Sequence, residues 1–385
     1  MQPATILQHV ALGALVSGGG VTALQSLFAR KLKAPSSFAL SLGSFVGVFR
    51  LLEAIGREQE QQRQQQELKP SDQPSRHGNV NASRAAAVAA AVALLLLDAK
   101  RKNVVVAYAA IEALLTLSRE HSSIADIKYI EILVGWPAYA QIIYTWVLQS
   151  KMLEKSQIAA LDGLCALGKE PLRRMRAEIP TGTELLSRCD VFHRGETCSE
   201  FHRRYFSKSM KFAARLYIPI YFFSVVATKY KQWLWGPRPE LSKLVVQYLR
   251  TCLCLTLNYQ IPLFLSCHSP IKSHRVTVAL VGASASLALL AEHERRRASV
   301  LKAISVYALC SVGAQAAAAM SLSKSTVTKL QFALFTASLA MVFQRPERQS
   351  QTLMRHLFGY DVAPKQPQNV SKGAVEPHHV LTTAS

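Results

Sequence analysis

The feature that most constrains this chain is the gathering of its apolar residues into long runs, with the charged residues placed between them. Half of the 385 residues are hydrophobic and only 18% are charged, against roughly 25% charged in ordinary soluble domains. A backbone inside a bilayer must satisfy its own hydrogen bonds, so such runs form helices. The pattern excludes a disordered chain, a disulfide miniprotein and an ordinary soluble enzyme. It predicts an all-α, polytopic membrane protein.

We predict about ten transmembrane or membrane-embedded helices in two related halves. The apolar segments are 4–28, 36–55, 84–97, 104–118, 129–149, 212–228, 244–266, 276–291, 298–322 and 328–343. Several are short. Segment 84–97 would rise only about 21 Å, against a hydrocarbon core of roughly 30 Å. Such a segment thins the bilayer, extends through flanking basic side chains, or dips without crossing.

Polar stretches divide the chain into parts of different composition. The predicted domains are a first helical membrane repeat at 1–168 with a flexible linker at 56–83, a basic Cys/His-containing module at 169–211, a second helical repeat at 212–343, and a polar tail at 344–385, disordered near its end.

The two halves share a hairpin pattern. Residues 87–117 and 277–309 each contain an apolar run, a short acidic-basic turn and a second apolar run with a central tyrosine, Tyr108 or Tyr307. An internal repeat is one interpretation, and the general similarity of helical hairpins is the other. If every segment spans, the two hairpin tips face opposite sides of the membrane. If 212–228 lies flat on the surface, they face the same side.

The basic excess is concentrated beside the apolar runs. The chain has 45 Lys+Arg and 24 Asp+Glu, a net charge of +21, with clusters such as Lys100-Arg101-Lys102 and Arg295-Arg296-Arg297. This placement fits anionic lipid headgroups and the positive-inside rule. No nucleic-acid recognition module accompanies the charge, so membrane lipids, and not nucleic acids, are the expected partners.

Small residues recur at helical spacing in the first two segments. Gly13 and Gly18 lie in the first, and Gly43 and Gly47 form a G-x-x-x-G in the second. Such positions let membrane helices approach closely. They indicate either plain helix packing or a groove kept open by missing side chains, through which a lipid tail or peptide could slide.

Charged residues inside apolar runs are a second set of candidates, because intramembrane charge is costly. Arg50, Glu112, Arg250 and Lys302 belong to this set. Glu112 and Lys302 fall in corresponding hairpins, which predicts an ion pair between the halves. The alternative is that these side chains extend from the segment ends to the membrane surface.

A third candidate is a cluster of soft metal ligands in the basic module. Cys189, His193, Cys198 and His202 supply four ligands within fourteen residues, enough for a tetrahedral zinc site. The spacing differs from that of common zinc fingers, so a local packing motif is the alternative reading. Further ligands could come from a later set: Cys252, Cys254, Cys267 and His268. The seven cysteines are odd in number and partly within apolar runs, which argues against a disulfide framework.

Aromatic-proline pairs mark predicted interfacial corners. Tyr217 and Pro219 form one of them, because tyrosine prefers the membrane surface and proline kinks a helix. The sequence has no P-loop, dinucleotide fingerprint, nucleophile elbow or H-E-x-x-H motif. We therefore expect no enzyme activity and no cofactor other than zinc.

Several of these segments together resemble the transmembrane protein 135 family. The stretch CDVFHRGETCSEFHRRYFSKSMKFAARLYIPIYFF (189–223) resembles the family's cysteine-rich module. Segments 36–55, 84–118 and 136–164 resemble its repeated helical unit, itself similar to mitochondrial preprotein translocase channel proteins and small peroxisomal membrane proteins. The resemblance covers about residues 10–345. A second cysteine-rich module, expected before the first half, is absent from this sequence.

The resemblance implies an integral protein of the peroxisomal or mitochondrial membrane that supports lipid or metabolite handling and organelle homeostasis. It implies no catalytic residues, and it marks Cys189, His193, Cys198, Tyr217 and Pro219 as structural or binding positions. Two alternatives stay open: a protein-translocase-like membrane component, and a scaffold that recruits a protein partner through the 169–211 module. Self-association is compatible with each of them.

Overall fold

The structure is a computed structural model of the chain. It describes residues 36–66, 76–118, 129–180, 188–235, 241–271 and 273–345, together with a few positions between 11 and 22 and residues 349 and 358. Within these residues every regular element is a helix. The all-α class predicted from the apolar runs is therefore confirmed.

Twelve α-helices follow one another in this part of the chain. They are α1 Ser37–Gln66, α2 Arg76–Leu96, α3 Ala99–Ser118, α4 Ile130–Leu148, α5 Lys155–Leu164, α6 Lys169–Glu178, α7 Arg188–His193, α8 Cys198–Trp235, α9 Leu241–His268, α10 His274–Ser284, α11 Glu294–Ala319 and α12 Lys324–Gln344. Short 3-10 helices occupy Ser150–Met152 and Ala285–Leu290.

Local capping explains several of the boundaries. Glu154 and Gln157 form a reciprocal capping box that starts α5, which satisfies backbone groups left open at a helix end. Ser273 and Ser323 accept hydrogen bonds from the backbone N–H groups of Val276 and Thr326 at the starts of α10 and α12. These residues fix where the later helices begin.

Among the described residues, three helices are long and apolar enough to cross a membrane. They are Ser37–Gly56 within α1, Arg296–Ala319 within α11, and Lys324–Gln344. Val80–Leu96 and His274–Leu290 are apolar but shorter. The all-helical part of the prediction is thus confirmed. The predicted number of about ten membrane helices is not, because the described residues contain three candidate spans.

Much of the apolar surface faces outward. In the spans of α11 and α12 only 22% of the residues are buried, and Leu95 and Leu280 are 73% and 56% exposed. Soluble monomers rarely expose contiguous apolar patches of this kind. An apolar environment around these helices would remove that surface from water.

Two predicted boundaries are wrong. Helix α1 continues to Gln66 and α2 begins at Arg76, so most of the predicted linker at 56–83 is helical. Gln, Glu and Arg are good helix formers, and composition alone does not distinguish a polar helix from a linker. Helix α8 also runs unbroken from Cys198 to Trp235. The predicted border between the basic module and the second half, at 211–212, therefore falls inside a helix.

The helices pack in an order that differs from their order along the chain. Neighbouring pairs run α1–α2, α2–α12, α12–α3, α3–α11, α11–α4, α4–α10 and α9–α8, with the 3-10 helix Ala285–Leu290 against both α4 and α9. Helix α4 of the predicted first half thus packs among second-half helices. Helix α12 of the second half packs between α2 and α3. The predicted halves are not separate bundles, because each contributes its last apolar helix to the other.

An aromatic cluster joins α1, α12 and the tail. Phe45 and Phe49 of α1 contact Phe343 of α12, and Phe358 packs edge-on against all three rings. Phe358 is 6% exposed. The rest of the predicted disordered end lies outside the described residues.

Candidate metal centre

The basic module packs as a small core against α4 and α9. Phe192, Phe201 and Tyr205 of the module are buried together with Trp146 of α4 and Leu263 of α9. The Tyr205 hydroxyl donates to the backbone carbonyl of Cys165. This core fixes α7 and the start of α8 beside the end of α9.

Asp162 ties the same region together through polar contacts. It accepts a 2.8 Å hydrogen bond from the Trp146 indole and an ion pair from Arg176 of α6. Arg176 also lies 5.8 Å from the centre of the Trp146 ring. Helices α4, α5 and α6 are therefore held together by contacts that do not involve the candidate metal ligands.

Four metal-ligand side chains converge where α7, α8 and α9 meet. Cys189 and His193 lie on α7, Cys198 is the first residue of α8, and Cys267 lies near the end of α9. Their ligand atoms all lie within 4.8 Å of one another. Three sulfurs and one imidazole nitrogen form a donor set typical of structural zinc.

Three of the distances between the ligand atoms are close to those around a tetrahedral zinc ion. The His193 Nε2 atom lies 3.3 Å from Cys198 Sγ and 3.5 Å from Cys267 Sγ, and the two sulfurs of Cys189 and Cys198 are 3.4 Å apart. With Zn–S near 2.3 Å and Zn–N near 2.0–2.1 Å, tetrahedral geometry requires about 3.5 Å for S···N and about 3.8 Å for S···S. A disulfide would require about 2.05 Å.

The His193 ring is oriented for metal binding. Its Nδ1 atom lies 3.1 Å from the Glu196 carbonyl oxygen, an acceptor that favours a proton on Nδ1. The lone pair of Nε2 then faces the cysteine sulfurs. A backbone carbonyl that fixes the tautomer of a ligand histidine is a common second partner in zinc sites.

Two of the three thiols, those of Cys198 and Cys267, have a raised pKa. Burial, followed by the neighbouring Cys189 thiol, raises the pKa of Cys198. Burial, followed by the charges of Cys189 and Cys198, raises the pKa of Cys267 well above its ordinary range. A bound dication would reverse this preference, because thiolate ligands bind zinc in the deprotonated form.

The predicted fourth ligand, His202, does not belong to this set. Its ring is 9% exposed, and its Nδ1 atom lies 3.1 Å from the Gln260 side-chain amide. Burial, followed by the neighbouring His193 and His268 rings, lowers the pKa of His202. His202 lies one helical turn beyond Cys198, where its ring contacts Gln260 of α9. Cys267 takes the fourth position. Cys252 and Cys254 are buried earlier in α9, well before Cys267, and lie outside the cluster.

The structure places the predicted small residues at a close helix contact. A Cβ atom on Gly18 would lie 2.9 Å from the Ala39 carbonyl oxygen, and one on Gly43 would lie 3.0 Å from the Ala14 carbonyl oxygen. The backbones around Gly18 and Gly43 are therefore in direct contact at this crossing. This agrees with the helix-packing interpretation, and no groove is open at this point. Gly47 is buried in α1, and Gly13 lies outside the described residues. Gly135 and Gly282, which the sequence analysis did not single out, make a similar close approach between α4 and the α10 region.

The predicted ion pair between hairpins is formed. Lys302 of α11 pairs with Glu112 of α3, and its ammonium group lies 5.1 Å from the centre of the Tyr108 ring. Arg50 is half-buried in α1, three residues before the buried Glu53. Arg250 of α9 donates to the Ala291 carbonyl oxygen at 2.9 Å. The four charged candidates thus lie at three separate places.

Tyr217 and Pro219 do not form a corner. Both lie inside the continuous helix α8, where a proline removes one backbone hydrogen bond without ending the helix.

A network of hydrogen bonds between neutral polar side chains joins α4 to α11, and it was not predicted from the sequence. Gln141 and Gln315 bond to each other at 3.0 Å and to Thr145, with further bonds to Ser311 and Gln149.

Comparison with known proteins adds no relative. The chain matches no family model, no curated protein and no solved structure.

Proposed function

We propose that this chain is a multi-pass protein of the peroxisomal or mitochondrial membrane that supports lipid or metabolite handling and organelle homeostasis. In this proposal a zinc ion fastens the polar module at 169–211 to the membrane-embedded helices. The chain acts as a binding and positioning protein without enzyme activity. The organelle and the lipid role are suggested by the family resemblance, and the apolar exterior of α11 and α12 supports insertion in a bilayer.

The single observation that carries the proposal is the position of Cys267. Three ligands come from the module, and the fourth comes from the end of α9, whose other end lies in the helical body. A metal ion bound by all four would lock the module in one orientation over the membrane. Structural zinc sites contribute folding free energy in this way.

The first experiment measures metal and membrane attachment on the full chain. The protein is purified in mild detergent under reducing conditions without chelator, and zinc is measured per chain by mass spectrometry. We expect about one equivalent, since a closed four-ligand site holds a single ion. Less than about a tenth of an equivalent, or a disulfide between Cys189 and Cys198, would overturn the metal part.

Localisation tests the remaining part. Membranes are extracted with alkaline carbonate, fractionated against peroxisomal and inner-mitochondrial markers, and digested with protease before and after outer-membrane rupture. We expect the chain to stay in the carbonate pellet with one of the two organelles. Loss of the chain should then change the lipid composition of that organelle. Release by carbonate, or an unchanged lipid composition, would contradict the proposal.

The translocase-like alternative gains no support from the described residues. It predicts acidic side chains such as Glu112 facing a substrate groove. Glu112 is instead paired with Lys302 between α3 and α11, and its side chain is 18% exposed. Co-purification of presequence-bearing substrates would be required to favour it.

A further inference from the structure

Three arginines meet at the tip of the second-half hairpin. Arg296 and Arg297 begin α11, and Arg250 reaches the same place from α9. Arg250 and Arg297 share an acceptor, the Glu292 carbonyl oxygen, at 3.4 and 3.2 Å. Arg297 is 7% exposed. The cluster therefore concentrates positive charge in a partly buried position.

The three guanidinium groups have neutral partners. Arg250 also donates to the Ala291 carbonyl oxygen at 2.9 Å, and Arg297 to the Leu289 carbonyl oxygen at 3.0 Å. These two arginines cap the end of the 3-10 helix, where carbonyl groups lack helical partners. Arg296 instead donates to two hydroxyl groups, those of Tyr221 and Thr251.

The one buried carboxylate beside them does not balance this charge. Glu292 is 1% exposed, and within the described residues it forms no salt bridge with any of the three arginines. Its Oε1 atom accepts from the Thr251 hydroxyl at 3.2 Å and from the His293 backbone N–H at 3.0 Å. Its Oε2 atom has no hydrogen-bond partner among the described residues. Glu292 positions Thr251, and the cluster keeps an excess of two positive charges.

The location of Arg296 indicates which class of ligand the arginine cluster would suit. Arg296 is the first residue of the candidate membrane span Arg296–Ala319, so in a bilayer it lies at the level of the lipid headgroups. Partly buried cations without counter-charges are unfavourable. Basic pockets between membrane helices at this depth suit anionic headgroups, and guanidinium groups bind phosphate in bidentate fashion.

We infer that Arg296, whose guanidinium group is held in place by the hydroxyl oxygens of Tyr221 and Thr251, binds a phosphate-ester anion while Arg250 and Arg297 supply a fixed positive field. The phosphate of an anionic lipid and soluble phosphate share this chemistry. The anion would reach the cluster at Arg296, because Arg296 is only half-buried whereas Arg297 and Glu292 are buried. The lipid source depends on the membrane insertion proposed above, and the phosphate chemistry does not.

Arg296→Gln is the variant of choice for a test. It removes the guanidinium that contacts hydroxyl groups and leaves both helix-capping arginines in place. Arg101→Gln is the matched control, because Arg101 lies in the first hairpin tip and is exposed. Arg296→Lys is the second variant, since it keeps the charge and loses bidentate geometry.

The experiment uses the full chain, delipidated in detergent. Binding is measured by thermal shift and by flotation with vesicles of phosphatidylcholine alone or with phosphatidic acid, and separately with inorganic phosphate. We expect Arg296→Gln to weaken binding of phosphatidic acid about tenfold or more, because hydrogen bonds to charged groups are strong. Arg296→Lys should fall between it and the wild type, and Arg101→Gln should change binding less than about twofold.

Comparing phosphatidic acid with inorganic phosphate distinguishes the possible sources of the anion. Stabilisation by phosphatidic acid and not by inorganic phosphate assigns a lipid, and stabilisation by both assigns a general phosphate site. Equal binding by the wild type and Arg296→Gln in every arm would overturn the inference. If carbonate extraction releases the chain, the proposed function fails, while the inorganic phosphate arm still tests this site. An unchanged melting temperature of the ligand-free variant shows that the variant is folded.

Discussion

The Glu112 carboxylate and the Lys302 ammonium group form an ion pair that joins α3 to α11 at the centre of the helix order. The two side chains are 18% and 21% exposed, and Tyr108 lies beside the ammonium group. Because the two helices come from different predicted halves, the pair is a direct link between them.

Removing one member of this pair should destabilise the protein more than removing both. Lys302→Met leaves the Glu112 carboxylate unpaired, at a cost of about 2–4 kcal/mol, somewhat below the range for fully buried pairs. The double variant Glu112→Gln/Lys302→Met should recover most of this loss. Unfolding in detergent, followed by a double-mutant cycle, measures the coupling. Additive effects of the two single changes would show that the pair contributes little.

The ligand assignment predicts different zinc contents for two single variants. Cys267→Ala removes a ligand from the site and should lose most of the bound zinc, because a structural site is closed by four protein ligands. His202→Ala lies outside the ligand set and should keep about one zinc ion per chain. Metal analysis of both purified variants is the measurement. Zinc loss in His202→Ala with retention in Cys267→Ala would restore the ligand set predicted from the local spacing.

The contact between Gly18 and Gly43 predicts that even one methyl group is harmful. Gly43→Ala places a Cβ atom about 3.0 Å from a backbone oxygen, so the helices must separate, at a cost of about 1–3 kcal/mol. Gly19→Ala is the control, since a Cβ atom at Gly19 meets no atom within 4 Å. Thermal unfolding of both variants provides the comparison. A stable Gly43→Ala protein with reduced lipid binding would favour a groove over packing.

The buried thiol of Cys165 makes stability depend on alkaline pH. Burial raises the pKa of Cys165 from its ordinary 9.0 to about 11, and the residue is fully buried. Above pH 9 the unfolded chain releases this proton while the folded chain keeps it until about pH 11. Stability should therefore fall as the pH rises through this window, by up to about 3 kcal/mol at about 1.4 kcal/mol per pH unit.

The comparison with Cys165→Ala isolates this effect from other titrating groups. At pH 7.5 the variant should be less stable than the wild type, because a buried side chain has been removed. The difference should shrink between pH 9 and pH 11. A difference that stays constant over this range would show that the Cys165 pKa is not raised by folding.

The sequence predicted the helices well because apolar runs leave the backbone few alternatives. The positions of α3, α4 and α11 follow from these runs, and the Glu112–Lys302 pair follows from comparing the two hairpins. The sequence predicted less well where polar composition is ambiguous. Gln-rich residues 56–66 extend α1 as a polar helix, and Lys211 and Phe212 lie inside one continuous helix.

Only part of the metal centre was predicted from the sequence, because one of its ligands lies far from the others along the chain. Cys189, His193 and Cys198 lie within ten residues of one another, so their grouping is visible in the sequence. Cys267 lies 69 residues after Cys198 (267 − 198), and only the packing of α9 against the module brings it near. His202 satisfied the local spacing but faces Gln260. Charge counting found the basic cluster at 295–297, whereas its neutral partners depend on the three-dimensional fold.

The packing of α12 between α2 and α3 has a consequence for biosynthesis. Helices α2 and α3 leave the ribosome long before α12 is made, and at about 5–20 residues per second the delay is on the order of tens of seconds. During that time the surface that α12 will cover is open to lipid, to an insertion factor or to another chain. A nascent polypeptide truncated before residue 324 would keep this surface open permanently, so quality-control factors that recognise exposed apolar helices should bind it and release the complete chain.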